Sequence, residues 1–301
     1  MAAGVQVTAA RRTSTLALLT SKRFRSALWI AFCTAVVAIG SIFMLFPLAW
    51  MLSTSFKASG DVLLLPPKWV PVLEFEARWQ NYPEALSFIK AGRVLRNTLT
   101  IALTTMVGDT LSAALVAYGF ARLRARGKDF LFAIVLSTLM LPYYVRLVPE
   151  FLLFKQLGWV NTFLPLIVPS FFAGPFNIFL LRQFFTTIPI EMDDAAKIDG
   201  ASYFQIFWRI IVPLSWPAIA TVAIFSFMFH WNDFFRPMIY LSSASKWTIA
   251  LALRNFVTAY GGTPWNLLMA ASIVALLPTL LVFFVAQRYF IQGIVVSGVK
   301  G

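Results

Sequence analysis

Cysteine and histidine are nearly absent from this chain of 301 residues, which contains one of each, Cys33 and His230. A single cysteine cannot form a disulfide within the chain, and these two residues cannot supply the four-ligand sets that hold structural zinc. The glycine-rich phosphate-binding pattern G-x-x-x-x-G-K-[ST] is missing as well. We therefore expect no metal site, no cysteine–histidine catalytic pair and no nucleotide-binding loop of that kind.

Charge is also scarce, since 12% of the residues are charged, 59% are hydrophobic and the mean hydropathy is +0.78. Soluble domains hold about 25% charged and about 45 to 50% apolar residues, so this composition is typical of a membrane protein. The short alternating segments of a membrane β-barrel are absent. We predict an all-α integral membrane protein.

Six apolar runs are long enough to cross the hydrocarbon core of a bilayer, which takes about 20 residues of helix. They predict transmembrane helices at about residues 27–52, 98–121, 130–149, 163–181, 214–231 and 267–290.

Lysine and arginine near the ends of these runs predict the orientation, because they are retained on the cytoplasmic side. They are concentrated in a basic tail at residues 1–26, in the loop "RLRARGKD" and around residues 182–209. Both termini are therefore expected in the cytoplasm. The net charge of +13 does not indicate nucleic-acid binding, since the basic residues form no stripe interleaved with stacking aromatics.

The segment Glu191–Leu214, called the hook below, reads "EMDDAAKIDGASYFQIFWRIIVPL" and brings four carboxylates into an apolar sequence. The four are Glu191, Asp193, Asp194 and Asp199. Because proline and acids favour the first turn of a helix, Pro189 and these acids predict a helix start. Gly200 interrupts the helix, and apolar residues then recur at helical spacing up to Pro213. Two interpretations remain: a lever docked on a cytoplasmic partner, or a solvated loop whose acids cap a helix. Catalytic carboxylates are disfavoured, since no histidine lies nearby.

This segment resembles the EAA loop of ABC importer permeases, whose pattern is Glu-Ala-Ala, three residues, Gly, nine residues, Ile, one residue, Leu-Pro. The matching stretch is "DAAKIDGASYFQIFWRIIVP", with Asp194 in place of the glutamate and Val212 in place of the leucine. The stretches "LRQFFTTIP", "NDFFRPMIYL" and "QRYFIQGIVVSGVKG" are similar to the maltose-type second permease subunit of carbohydrate importers. The likeness covers nearly the whole chain after residue 25.

The resemblance implies a type I ABC importer permease bundle of six helices, with residues 189–213 as the loop that couples to a cytoplasmic ATPase. It implies a second, homologous permease subunit, two ATPase subunits that hold ATP and magnesium, and an extracytoplasmic binding protein that delivers a sugar. The chain itself is expected to carry no cofactor and no enzymatic activity, in the plasma membrane of a bacterium or archaeon. The residues implied for ATPase coupling are Asp193, Asp194, Ala195, Ala196, Ile198 and Gly200. Those implied for contact with the binding protein are Tyr260, Gly261 and Gly262.

Polar residues within the spans have two interpretations each. Asp109, in the second run, is either a pathway residue or an interior hydrogen-bonding group. Substrate contacts are proposed at Tyr143, Tyr144, Asn177, Asn232 and Asp233. The tyrosines are equally explained as interfacial side chains and the asparagine as a contact between helices. Trp231 is expected to anchor the fifth run at the outer interface, and the prolines of "LPLIVPSFFAGPFN" predict a broken fourth span.

Three alternative functions are kept beside carbohydrate import. A permease for glycerol phosphate or another polyol-like solute belongs to the same class. An intramembrane enzyme would need a convergent catalytic set within the spans, whereas Asp109 is the one carboxylate deep in a run. A structural scaffold would show no dependence on ATP.

Overall fold

The computed structural model describes residues 22–69, 77–257 and 262–298, with side chains described from residue 26 to residue 287. All regular elements in these ranges are helical. Tyr260 and Gly261, two of the three residues implied for contact with a binding protein, lie outside the described residues. The α-helices are α1 Lys22–Ser55, α2 Asn81–Phe88, α3 Ala91–Arg122, α4 Lys128–Ser137, α5 Tyr143–Gln156, α6 Leu164–Ile167, α7 Pro175–Phe185, α8 Glu191–Ile198, α9 Tyr203–Ile206, α10 Val212–Leu214, α11 Trp216–Trp231, α12 Phe235–Tyr240, α13 Ile249–Val257 and α14 Trp265–Gly298.

The described residues contain four helical segments long and apolar enough to cross a membrane. Two further pairs of helices meet the same test together but are bent, so the described residues contain up to six candidate spans. The four segments are Ser26–Ser55, Ala91–Arg122, Leu164–Phe185 and Trp265–Gln287. The pairs are Lys128–Met140 with Tyr143–Gln156, and Tyr203–Leu214 with Trp216–Trp231.

Helix α3 lies at the centre of the bundle, where α7, α11 and the 3₁₀ segment Val168–Phe172 pack against it. Small side chains make this possible, since Ala102, Ala113 and Ala117 of α3 are fully buried. At Gly108 the approach is closest, because a Cβ atom there would stand 2.8 Å from the ring of Phe171. Any larger residue at position 108 would therefore force the ring of Phe171 to move.

The predicted break in the fourth span is present. Helix α6 runs into the 3₁₀ segment, Ala173 takes a left-handed φ of 60°, and α7 begins at Pro175. Broken backbone at membrane depth needs polar partners from the protein. Ser112 of α3 supplies one, since its hydroxyl donates to the carbonyl oxygen of Ser170 over 3.2 Å.

The third apolar run bends inside the range that the sequence predicts as one span. Helices α4 and α5 meet at 97°, with Leu141 extended at a ψ of 109° immediately before Pro142. Proline disfavours helical backbone in the residue before it and lacks the amide hydrogen that would continue the helix. The apolar composition of the run predicted its burial in membrane but could not reveal this bend.

Trp231 differs from its predicted role as an interfacial anchor. Its side chain is 1% exposed, its ring stacks on Phe227, and its indole nitrogen donates to the carbonyl oxygen of Ala275 over 3.1 Å. A buried indole N–H needs an acceptor, and α14 supplies it. Trp231 therefore joins α11 to α14 inside the bundle.

Candidate functional site

The hook folds as the sequence predicts, as two short helices separated by a glycine bend. Helix α8 carries Glu191, Asp193 and Asp194 in its first turn, where the helix dipole favours negative charge. It ends at Ile198, and Gly200, two residues later, has a φ of +81°, which suits glycine because a Cβ atom would be strained there. The amide of Ala201 donates to the carbonyl oxygen of Ala196 and closes the bend.

A second helix start follows the bend at once. The hydroxyl of Ser202 accepts from the amide of Gln205, and the side chain of Gln205 accepts from the amide of Ser202. This reciprocal capping box fixes the direction in which the chain leaves Gly200. A π-helical stretch, Phe207–Ile211, then leads through α10 and an 81° bend into α11.

The side chains of the neighbours Asp193 and Asp194 lie in different environments. The side chain of Asp194 is 59% exposed and lies 3.0 Å from the ammonium group of Lys197. The side chain of Asp193 is 3% exposed, with one oxygen 3.8 Å from Nε of Arg122, the last residue of α3. Burial raises the pKa of Asp193, and the attraction of Arg122 and Lys197 offsets only part of this effect.

The other residues expected to couple to an ATPase divide in the same way. Ala195 is exposed, and Ile198 is 87% exposed although it is a large apolar side chain. Ala196 is half-buried and packs against the core formed by α3, α7 and the second half of the hook. One face of α8 is thus open, with Asp194, Ala195 and Ile198 on it, and the other is closed.

The end of α3 holds both halves of the hook. Arg122 donates through Nη2 to the carbonyl oxygen of Ile188, over 2.8 Å, just before α8. The hydroxyl of Tyr118, one turn earlier, donates to the carbonyl oxygen of Tyr203 over 3.1 Å, and its ring lies 5.2 Å from that of Phe207. Sequence reasoning missed this attachment, because Arg122 was counted only as a charge that sets topology.

A set of hydrogen-bonded polar side chains connects α3 with α11 and α12. Asp109 Oδ2 accepts from the hydroxyl of Ser226 over 2.7 Å and lies 3.2 Å from Nε2 of His230. Arg236 Nη2 lies 2.9 Å from Nδ1 of His230, and its Nε donates to Asp233 Oδ2. These five residues are called the polar chain below.

The polar chain fixes the tautomer of its histidine. A guanidinium group has no acceptor, so Nδ1 of His230 must accept from Arg236. The proton of the neutral ring is then on Nε2, which donates to Asp109. Asp109 thus has interior partners, which agrees with the second of the two interpretations given to it above.

The proposed substrate contacts are only partly brought together. The rings of Tyr143 and Tyr144 lie 6.3 and 5.2 Å from that of Phe235, next to Arg236 in the polar chain. Asp233 belongs to the same cluster through its bond to Arg236. Asn232 is exposed and turns back to the carbonyl oxygen of Met228, 2.8 Å away.

The remaining predicted residues are apart from that cluster or at its margin. Asn177 is half-buried in the first turn of α7. Gly262, with a φ of +140°, is the one member of the proposed binding-protein loop within the described residues. Within residues 22–69, 77–257 and 262–298, no group of three His, Cys, Asp or Glu side chains is placed to hold a metal ion.

Up to six candidate spans, a broken fourth span and a polar chain between helices are the features of a multi-span helical membrane protein. The chain belongs to the family of binding-protein-dependent transport system inner membrane components, whose model matches residues 109–296. The resemblance drawn from the hook is therefore confirmed, and the chain is a transport subunit rather than an enzyme.

Curated relatives match over most of their length. The osmoprotective compounds uptake permease protein GgtD of Synechocystis sp. is 34% identical over 271 residues, which are 88% of this chain and 90% of the relative. The arabinooligosaccharides transport system permease protein AraQ of Halalkalibacterium halodurans is 32% identical over 270 residues, 89% of this chain and 93% of the relative.

The fold is also found in a solved structure. A chain in the crystal structure of a bacterial ABC transporter involved in the import of the acidic polysaccharide alginate superposes with a TM-score of 0.78. The two sequences are 22% identical, and the match covers 90% of this chain and 98% of the other. At this identity the likeness establishes the fold, and the all-helical prediction is confirmed by it.

Proposed function

We propose that this chain is the membrane-spanning permease subunit of an ATP-driven carbohydrate importer. Its hook would transmit the conformational change of a cytoplasmic ATPase to the membrane helices. The observation that carries the proposal is the open face of α8. A large apolar side chain that is 87% exposed, Ile198, stands beside the small Ala195 and the charged Asp194 on a short helix. An exposed apolar centre with a charged margin is typical of a protein interface.

The assembly would contain this chain, a second and homologous permease subunit, and two ATPase subunits that bind ATP and magnesium. The hook and both termini would face the cytoplasm of a bacterium or archaeon, and an extracytoplasmic binding protein would dock at the opposite end. The concentration of lysine and arginine near the hook and in the amino-terminal tail supports this orientation. The segment containing Tyr260, Gly261 and Gly262 would contact the binding protein.

The substrate path would pass the cluster formed by Tyr143, Tyr144 and Asp233, with Asn177 and Asn232 as further contacts. Tyr144 is 70% exposed and lies beside Phe235, and Asp233 is held in place by Arg236. Aromatic faces with adjacent charged or amide groups bind sugars through stacking and hydrogen bonds. The cluster therefore has the chemistry that a sugar needs.

The names of the relatives support a carbohydrate as substrate, since one transports arabinooligosaccharides and another, from Rhizobium radiobacter, lactose. Uptake of osmoprotective compounds is a second candidate, because the Synechocystis relative is 34% identical over most of both chains. These two classes of solute are distinguished by the binding protein that works with the permease.

The test is a transport assay with the complete importer reconstituted in vesicles. A thermal-shift assay first identifies which oligosaccharide or osmoprotective compound the binding protein binds. The ATP-dependent uptake of that solute, in labelled form, is then measured. Ile198→Asp should leave the chain in the membrane but reduce uptake at least tenfold, because it places a charge at the centre of the interface. Leu63→Asp, at a position that is 81% exposed and outside the hook, is the matched control. Undiminished uptake by Ile198→Asp would refute the role of the hook.

A further inference from the structure

The hook packs into the core of the membrane bundle through Ile206, Phe207 and Ile211, and two further connections join it to the bundle. One is the chain itself, which continues into α11 through a π-helical stretch and an 81° bend at Ser215. The other is the carboxyl end of α3, which contacts Ile188, Asp193 and Tyr203. The second joins the hook directly to the central helix.

The second attachment is centred on an ion pair that is removed from water. The side chains of Arg122 and Asp193 are 4% and 3% exposed, and 3.8 Å separates Nε from the nearer carboxylate oxygen. A charge-assisted hydrogen bond between such groups is about 2.7 to 2.9 Å long. Neither Nε of Arg122 nor Oδ1 of Asp193 has a hydrogen-bond partner. The two charges are therefore close enough to attract each other. The nitrogen and oxygen atoms are nevertheless about 1 Å farther apart than in a full charge-assisted hydrogen bond.

Stability alone does not account for such a pair. Replacing a buried ion pair by apolar groups of similar volume is often neutral or stabilising, because desolvation of both charges cancels much of their attraction. Arg122 nevertheless makes an ordinary hydrogen bond to the carbonyl oxygen of Ile188, which fixes its guanidinium group at the entrance to α8. The charge of Asp193 is attracted to the same guanidinium group, and this attraction holds α8 against the end of α3.

We propose that Arg122 is a positioning residue through which the hook moves α3. When a partner displaces α8, the buried contact with Asp193 carries the displacement to α3, around which α11 and the two parts of the broken fourth span are packed. Asp194 and Ile198 on the open face contact the partner, and Asp193 on the closed face transmits the displacement of α8 to Arg122. This inference rests on the proposed function, in which an ATPase subunit binds the hook.

Coupling can be separated from folding, and the decisive variant is the neutral pair Arg122→Met with Asp193→Asn. Arg122→Met alone leaves a buried carboxylate without its partner and is expected to lower the melting temperature. The double variant leaves no buried charge unpaired and should melt within a few degrees of the wild type. It should also co-purify with the ATPase, because the open face of α8 is unchanged.

The readout is the number of solute molecules transported for each ATP hydrolysed in reconstituted vesicles. We expect this ratio to fall at least tenfold in the double variant, while ATP hydrolysis stays within about threefold of the wild type. Arg146→Met is the matched control, since Arg146 pairs with Glu150 on an exposed helix face. It should keep the wild-type ratio.

Two results would overturn the inference. One is a double variant that transports with the wild-type ratio. The other is a double variant that no longer binds the ATPase, which would make the pair a structural anchor of the hook. If instead Ile198→Asp also transports normally, the proposed function itself fails. A loss of coupling in Ile198→Asp combined with normal coupling in the double variant defeats the inference about Arg122 alone.

Discussion

At the scale of single residues, Asp193 and Asp194 differ only in the direction that they face. Adjacent residues of an α-helix point about 100° apart, so one can lie against the bundle while the next is in solvent. The sequence identified both as members of the hook, but it could not assign their roles. That assignment depends on how α8 docks on α3, which is set by Arg122 and Tyr118, about seventy residues earlier.

The buried carboxylate of Asp193 predicts a pH dependence of stability. Its pKa is raised, so between the ordinary aspartate pKa and the raised value the folded chain holds more protons than the unfolded chain. The contribution of Asp193 to stability therefore decreases as the pH rises through that window. In Asp193→Asn this contribution is absent, so the melting temperature of the variant relative to wild type should increase with pH. A constant difference across the window would contradict the burial of this group.

The polar chain predicts the effect of removing Asp109. Asp109→Leu leaves the hydroxyl of Ser226 and Nε2–H of His230 without their acceptor, at a cost of about 1 to 3 kcal/mol for each buried group. Asp109→Asn should cost less, because its amide oxygen still accepts one bond. The measurement is thermal unfolding of the purified chain in detergent.

A neighbouring position provides the control for this experiment. The hydroxyl of Thr110 is buried without a hydrogen-bond partner, so Thr110→Val removes no bond from the folded state. It should be neutral or slightly stabilising. Equal losses for Asp109→Leu and Thr110→Val would show that the polar chain contributes nothing specific.

At the scale of elements, the bend at Gly200 determines where α8 ends and where α9 begins. Gly200→Ala has open space around its Cβ, yet the φ of +81° makes any side chain unfavourable, at about 1 to 2 kcal/mol. The strained backbone lies in the hook and not in a membrane span. We therefore expect loss of coupled transport with little change in membrane insertion.

Gly119 is the matched position for that substitution. It is a glycine inside α3, where an added Cβ atom would have no neighbour within 4 Å and the backbone is not left-handed. Gly119→Ala should therefore stabilise the helix by up to about 1 kcal/mol and leave transport unchanged. If both glycine variants behaved alike, the conformation of Gly200 would have no functional importance.

The scale of elements also shows where sequence patterns reach their limit. Proline at 142 was visible in the sequence, but a long apolar run predicted one span where α4 and α5 meet at 97°. Trp231 matched the pattern of an interfacial residue and is buried against α14 instead. Hydropathy reports that a segment avoids water, and it does not report whether lipid or another helix covers it.

At the scale of the whole molecule, composition alone predicted the all-helical membrane fold, and the hook motif predicted the family. Both follow from local signals: apolar length in one case and the spacing of acids, alanines, glycine and proline in the other. The polar chain could not be predicted in this way. His230 looked isolated as the single histidine, and its partners Asp109 and Arg236 are brought to it only by packing of α3 and α12 around α11.

Helix α3 is continuous over 32 residues and contains both Asp109 of the polar chain and Arg122 of the hook contact. These two residues are 13 positions apart, which is about 20 Å along the helix axis. If α3 is the element that two ligands share, thermodynamic reciprocity applies to them. A solute held beside the polar chain would then change the affinity of the hook for its partner by the same factor by which that partner changes the affinity for solute.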